Sequence, residues 1–197
     1  MSREDLQTRA RILEATVRLL EERRGQGVRM GDIAKEAGIS RQAVYLHFAS
    51  RAELLVAATK YLDEVLDVDR RLARSRAAKS GVKRLALYIE AWGNYVPEIY
   101  GVAKALLLAQ DTDEAAAAAW KDRMLAMRDG CRAAIDALHA DGNLAPEWTR
   151  KNATDLLWTM LSVPTWENLT AGCGWSTRQY VRWMTTLAKR TFVEKPE

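Results

Sequence analysis

Residues 30–48 read MGDIAKEAGISRQAVYLHF, and this stretch decides the fold because it describes two short helices joined by a turn. Ala34 is small, as required where two helices cross closely. Gly38 follows where the chain leaves the first helix, at a position that favours positive φ and therefore glycine. Ser40 suits the start of the second helix, and Val44 then faces inward. This spacing predicts a helix-turn-helix.

The second predicted helix leaves polar and aromatic side chains facing away from the core. Basic and amide side chains near the start of such a helix can reach base edges, a small apolar side chain can meet a thymine methyl, and later aromatic or cationic ones suit phosphates. We predict DNA contacts from Arg29, Ser40, Arg41, Gln42, Ala43, Tyr45, His47 and Arg51. The alternative is a helix-turn-helix used only for packing, which leaves this outward set unexplained.

A longer motif can be followed through the same region: Ile33-Ala34-x-x-Ala37-Gly38-Ile39-Ser40, then Val44-Tyr45-x-His47-Phe48 and Arg51. With this motif, residues 8 to 55 resemble the TetR family of bacterial repressors. The resemblance implies an all-α protein with an amino-terminal three-helix helix-turn-helix domain and a larger helical domain for ligand binding and dimerisation. Arg29 departs from the pattern, because relatives usually place a capping threonine there.

Composition agrees with a soluble protein whose positive charge is concentrated near the motif. The 197 residues include 48% hydrophobic and 28% charged residues, which is typical of a globular chain. Residues 23–51 contain six Lys or Arg against two acidic residues, which equals the net charge of +4 of the whole chain. A basic helix-turn-helix surface is what phosphate binding requires. Two cysteines, no secretory signal and no membrane-spanning stretch lead us to expect a cytoplasmic protein without membrane contacts.

Apolar residues recur at helical spacing along the rest of the chain and predict about nine helices in total, with no strands. We expect the later helices at residues 51–72, 82–92, 97–110, 112–140, 146–164 and 176–192, with a basic connector at residues 70–79. Pro97 and Pro146 should each open a helix, and Asp111 should cap the longest one. We place the domains at residues 1–50, the helix-turn-helix domain, and 51–197, the ligand-binding and dimerisation domain.

The larger domain is rich in aromatic residues, since all seven tryptophans of the chain lie at or after residue 92. Rigid aromatic and flexible methionine side chains suit pockets for apolar or flat ligands, although each alone is more commonly plain core. We predict an apolar or aromatic small-molecule effector, bound by Trp92, Tyr95, Trp120, Met124, Met127 and Trp158.

The last two predicted helices are unusually apolar, and a short glycine-containing link at residues 171–175 makes them an antiparallel pair. A second copy of this pair would bury the excess apolar surface as a four-helix bundle. We predict a homodimer interface formed by Trp158, Leu161, Trp166, Tyr180, Trp183 and Leu187. The alternative is that these side chains complete the core of a single protomer.

Catalytic motifs are missing from the sequence, which has no Gly-rich phosphate loop, no HExxH and no Gly-x-Ser-x-Gly. Cys131 and His139 lie about 12 Å apart along one helix, too far to share a metal ion. We therefore expect no enzyme, no cofactor and no metal site. The expected function is a dimeric repressor that binds a pseudo-palindromic operator in double-stranded DNA and is released by the effector. A DNA-binding regulator without an effector and, more distantly, an all-α enzyme or carrier are the alternatives.

Overall fold

The computed structural model describes residues 3–194, and α-helices make up nearly all of its regular structure. In this range ten α-helices follow one another: α1 (Arg3–Glu22), α2 (Met30–Glu36), α3 (Arg41–His47), α4 (Arg51–Val65), α5 (Val68–Arg76), α6 (Gly81–Ala109), α7 (Glu114–Ala140), α8 (Arg150–Met160), α9 (Val163–Glu167) and α10 (Thr177–Phe192). A π-helical turn, Asn168–Gly172, follows α9. The all-α prediction is confirmed.

The chain forms two compact units. The first contains the residues up to Leu66 together with Glu98–Asp122, and the second contains Asp67–Pro97 together with the residues from Arg123 onward. Two long helices, α6 and α7, each continue from one unit into the other. The predicted domain boundary after residue 50 separates the helix-turn-helix from the rest by function and stays a prediction.

The core of the first unit confirms the helix-turn-helix. Gly38 takes the expected left-handed backbone with φ of 68°, and Ile39 then packs against the core. Ser40 Oγ accepts a hydrogen bond of 3.1 Å from the backbone N–H of Ala43 and so caps α3. The side chains that hold α1, α2, α3 and α4 together are fully or almost fully buried: Ile12, Leu13, Leu20, Ile33, Val44, Phe48, Leu54 and Leu55.

Helix α6 contradicts two of the expectations, because it runs through Gly93 and Pro97 without a break. The missing side chain of Gly93 serves packing and not a turn, since a Cβ there would lie 2.6 Å from Val181 Cγ2 and 3.2 Å from the Tyr180 ring. Pro97 removes one helical hydrogen bond, to the carbonyl of Gly93. Val96, the residue before Pro97, is fully buried, so this part of α6 belongs to the core.

The other helix boundaries shift where a polar side chain caps a new helix. Asp67 takes a left-handed φ of 45° and caps α5, so the expected connector is largely helical. Thr149 and not Pro146 starts α8, and Asp113 and not Asp111 caps α7. Ser162 caps α9 beside Pro164, where an end or bend was expected. Two splits and the fusion in α6 explain why the described residues form ten α-helices where about nine were predicted.

Gly101 marks a close approach of two helices within the first unit. A Cβ on this residue would lie 2.4 Å from the carbonyl oxygen of Leu20, where neither backbone can yield easily. We expect Gly101→Ala to lower the free energy of unfolding by about 1–3 kcal/mol, measured by urea denaturation. Gly31→Ala is the matched control, because no described atom lies within 4 Å of the added methyl. Alanine should leave stability unchanged or raise it there by up to about 1 kcal/mol. Equal stabilities would contradict the close packing.

Candidate functional site

Helix α3 has a buried side, an outer side opposite to it, and two flanks. Val44 faces inward with no exposed surface. At about 100° per residue, Gln42 and Leu46 lie on the side opposite Val44. Both are exposed, Leu46 to 82%. We call Gln42 and Leu46 the outer ridge of α3.

One flank of α3 carries a paired cation and aromatic ring. The Arg41 guanidinium lies 5.6 Å from the centroid of the Tyr45 ring, and Arg41 Nη2 lies 3.5 Å from Tyr45 Oη. Both side chains are exposed. This contact restricts the orientation of Arg41. Because a guanidinium has five N–H donors, others stay available to a ligand. The other flank, Ala43 and His47, is half-buried.

Two arginines outside α3 were also predicted to contact DNA. Arg29 is exposed, and its backbone N–H donates to Asp32 Oδ2 at 3.0 Å. That hydrogen bond is the largest cause of the lowered pKa of the Asp32 carboxyl. A hydrogen bond from the Arg23 side chain lowers this pKa further. Arg51 is half-buried, and its Nε donates to the carbonyl of Val28 at 3.3 Å. Burial lowers the pKa of the Arg51 guanidinium, and no sequence pattern indicated this internal role.

The interior of the second unit holds a cluster of buried polar groups. Tyr88 Oη donates to the carbonyl of Met127 at 2.8 Å, and Cys131 Sγ lies 3.8 Å from Tyr88 Oη. Burial raises the pKa of the Cys131 thiol to about 12, so the thiol stays protonated at neutral pH. Burial, with a further contribution from Cys131, also raises the pKa of Tyr180.

Two buried polar atoms of this unit have unmet hydrogen-bonding capacity. Among the described residues, neither Trp158 Nε1 nor Tyr180 Oη has a hydrogen-bond partner. Leaving such a group buried and unpaired costs about 1–3 kcal/mol. Groups of this kind commonly mark a bound water or a ligand-binding position.

The predicted effector residues divide between the units. Trp92 and Tyr95 lie together in the second unit, with ring centroids 6.0 Å apart, and Trp92 Nε1 donates to the Leu161 carbonyl at 2.7 Å. Met127 is buried, while Met124 and Trp158 are half-buried, and all three belong to the second unit. Trp120 belongs to the first unit and packs against its core. The role of all six residues in ligand binding stays a prediction.

The predicted dimer residues divide by exposure. Leu161, Trp166 and Tyr180 are buried in the protomer, and Trp158 is half-buried, so these four contribute to its own packing. Trp183 and Leu187 are exposed to 45% and 47% on α10, four residues apart and therefore on one face. An interface through this face stays a prediction for Trp183 and Leu187.

Neither a metal site nor a membrane-spanning helix is found in the described part of the chain. Across residues 3–194, no group of three or more His, Cys, Asp or Glu side chains is placed to hold a metal ion. None of the helices in that range combines the length and the apolar character that crossing a bilayer requires.

Known proteins match part of this chain in sequence. Residues 12–58 match the profile of the family described as "Bacterial regulatory proteins, tetR family". The regulator TtgR of Pseudomonas putida is 38% identical over 79 residues, which cover 40% of this chain and 36% of that protein. The nucleoid occlusion factor SlmA of Alteromonas mediterranea is 34% identical over 58 residues, covering 29% of this chain and 30% of that protein. The chain thus matches about a third of the length of these relatives.

Solved structures resemble the whole chain. The choline complex of a protein from Saccharomonospora viridis has a TM-score of 0.82 at 20% identity, covering 96% of this chain and 99% of that one. NalD of Pseudomonas aeruginosa, described as the secondary repressor of the MexAB-OprM multidrug efflux pump, has a TM-score of 0.66 at 18% identity, covering 98% and 100%. At these identities the likeness shows the fold. Residues 12–58 thus match the TetR family of bacterial regulatory proteins, and the chain shares its fold with these solved structures.

Proposed function

We propose that the protein is a cytoplasmic transcriptional repressor that binds a pseudo-palindromic operator in double-stranded DNA as a homodimer and releases it when a small-molecule effector binds. The observation that carries this proposal is the outward face of α3. There the outer ridge and Arg41 are exposed on a short helix that buried Val44 and capping Ser40 fix in place.

The size of α3 suits the major groove. A helix with its side chains is about 10–12 Å in diameter, and the major groove is about 12 Å wide and admits one. Gln42 on the outer ridge can bond adenine N6 and N7, and Arg41 can bond guanine O6 and N7. Tyr45 lies beside Arg41 on a flank, a position that suits a phosphate oxygen.

The charges around the motif favour an anionic partner. Arg18 forms an ion pair with Glu36, and Arg23 forms one with Asp32 at 2.9 Å. These pairs neutralise both acidic residues of the motif region, which would otherwise repel phosphate. The exposed cations Arg29 and Arg41 then supply positive charge toward DNA.

A binding selection tests the proposal directly. The full chain is mixed with duplexes that contain a randomised central segment, and bound molecules are enriched over several rounds at physiological salt. We expect a two-fold symmetric consensus bound at least about 1,000-fold more tightly than random duplex. Enrichment of no consensus would contradict the proposal. If a consensus is selected but no small molecule releases the protein from it, the alternative of a regulator without an effector is favoured.

The effector site is proposed in the second unit. Trp158 Nε1 and Tyr180 Oη are buried and unpaired, and the aromatic pair Trp92 and Tyr95 lies in the same unit. A flat or apolar ligand with at least one oxygen or nitrogen acceptor would match these groups. The solved structure with bound choline supports small-molecule binding by a protein of this fold, and it does not identify the ligand of this chain.

Trp158→Phe tests the effector site, because it removes the indole N–H and keeps an aromatic ring. For a compound found by its upward shift of the melting temperature, we expect binding about 3- to 10-fold weaker than in the wild type. Trp183→Phe, on an exposed tryptophan of the same unit, should bind the compound as the wild type does. Isothermal titration measures both. The coupling must also be reciprocal. The compound should weaken operator binding by the same factor as the operator weakens binding of the compound. Unchanged affinity in Trp158→Phe would exclude that contact.

A further inference from the structure

We propose that Leu46 is a specificity-determining residue, which contacts the C5 methyl group of a thymine in each half of the operator. This inference rests on the proposed function and adds a base preference to it. Leu46 was not among the DNA-contacting residues predicted from sequence. It is the most exposed large hydrophobic side chain of the described residues, at 82%, and Val65 follows at 59%.

Leu46 lies where an incoming surface would first meet α3. It follows Val44 by two residues, or about 200° around the helix, so it points away from the core. Gln42, one turn earlier, points the same way. Any surface that meets α3 from outside therefore meets Gln42 and Leu46 first. Ala43, the residue predicted to meet a thymine methyl, ends at Cβ on a half-buried flank and extends less far.

The outer ridge combines an apolar side chain with an amide, and this chemistry favours A·T pairs. The base edges in the major groove present hydrogen-bonding groups and one apolar group, the methyl of thymine. A leucine held against the other groups would desolvate them without a hydrogen bond. Against the thymine methyl it buries apolar surface on both sides. Gln42 complements this preference, because its amide can bond adenine N6 and N7 in a bidentate manner.

Spacing on the helix gives the expected pattern. Gln42 and Leu46 are separated by four residues, or about 6 Å along the helix axis. Stacked base pairs are about 3.4 Å apart. The adenine bonded by Gln42 and the thymine contacted by Leu46 should therefore lie within about two base pairs of each other in each half-site. In each half-site, the selected consensus should contain this adenine and this thymine at that spacing.

Replacing thymine by uracil tests the contact, because the exchange removes only the methyl group and leaves base pairing intact. Each thymine of the selected operator is replaced in turn, symmetrically in both halves, and binding is measured by fluorescence anisotropy. We expect one symmetric pair of replacements to weaken wild-type binding by about 15-fold, or about 4-fold per half-site, as for the loss of one buried methyl. In Leu46→Ala the same replacement should change binding less than 2-fold.

Leu125→Ala is the matched control, since Leu125 is exposed to 50% on α7 and lies in the second unit. It should retain the full uracil effect. Uracil effects of equal size in the wild type and Leu46→Ala would overturn the assignment, as would a wild type indifferent to uracil at every position. A chain that enriches no consensus at all would overturn the proposed function together with this inference, and the selection alone reveals that outcome.

Discussion

Arg41→Ala will weaken binding to the selected operator by about 10- to 100-fold for each half-site, while binding to random duplex falls much less. The expectation follows from the exposed guanidinium at the start of α3, which Tyr45 holds within 5.6 Å of its ring. A side chain restricted in this way loses less conformational entropy when it bonds a base. Because the effect is on base reading, the consensus should also relax at one position per half-site.

Arg29→Ala is the control for charge alone. Arg29 is exposed, and its bond to Asp32 comes from the backbone N–H, which alanine keeps, so the substitution should spare the fold. It should weaken operator and random duplex alike and flatten the salt dependence by about one unit per protomer. Arg51 is a poorer control, since its bond to the Val28 carbonyl ties it to folding. If Arg41→Ala and Arg29→Ala lost affinity equally for every sequence, Arg41 would be a phosphate contact and the assigned role would be wrong.

Leu187→Glu will give a folded protein that no longer dimerises and that binds the operator at least about 100-fold more weakly. Leu187 and Trp183 form an exposed apolar face on α10, and a charge at its centre would have to be desolvated in a symmetric contact. Far-ultraviolet circular dichroism checks the fold, and sedimentation velocity gives the mass at micromolar concentration.

Leu125→Glu provides the comparison, because Leu125 has a similar exposed fraction, 50%, on α7 of the same unit. It should remain dimeric with unchanged operator affinity. The interface on α10 would be wrong if Leu187→Glu sedimented as a dimer. It would be equally wrong if the wild type were a monomer that still bound the operator tightly.

The helix-turn-helix could be predicted from sequence because its signals are local. Gly38 requires a backbone that few other residues adopt, and Ser40 caps a helix through its own side chain. Neither depends on a distant part of the chain. The prediction of α6 failed for the opposite reason. Packing of Tyr180 against Gly93 stabilises a helix that Pro97 alone would interrupt.

The candidate sites were harder to predict, because apolar periodicity does not reveal which neighbour covers a side chain. Tyr180 and Leu161 were expected at an interface, yet both are buried in the protomer. Leu46 was not among the predicted contacts, because a large apolar side chain is more commonly buried than exposed. Its position was readable from the sequence, since Leu46 follows the inward-facing Val44 by two residues, or about 200° around the helix.

Two copies of α3 should read one symmetric operator. The most direct measurement is hydroxyl-radical footprinting on the selected duplex, combined with the stoichiometry from sedimentation equilibrium. We expect two protomers per duplex and protection related by a two-fold axis, with half-sites about one helical turn, or a multiple of it, apart. A single protomer with one-sided protection, or protection that does not depend on sequence, would contradict this expectation.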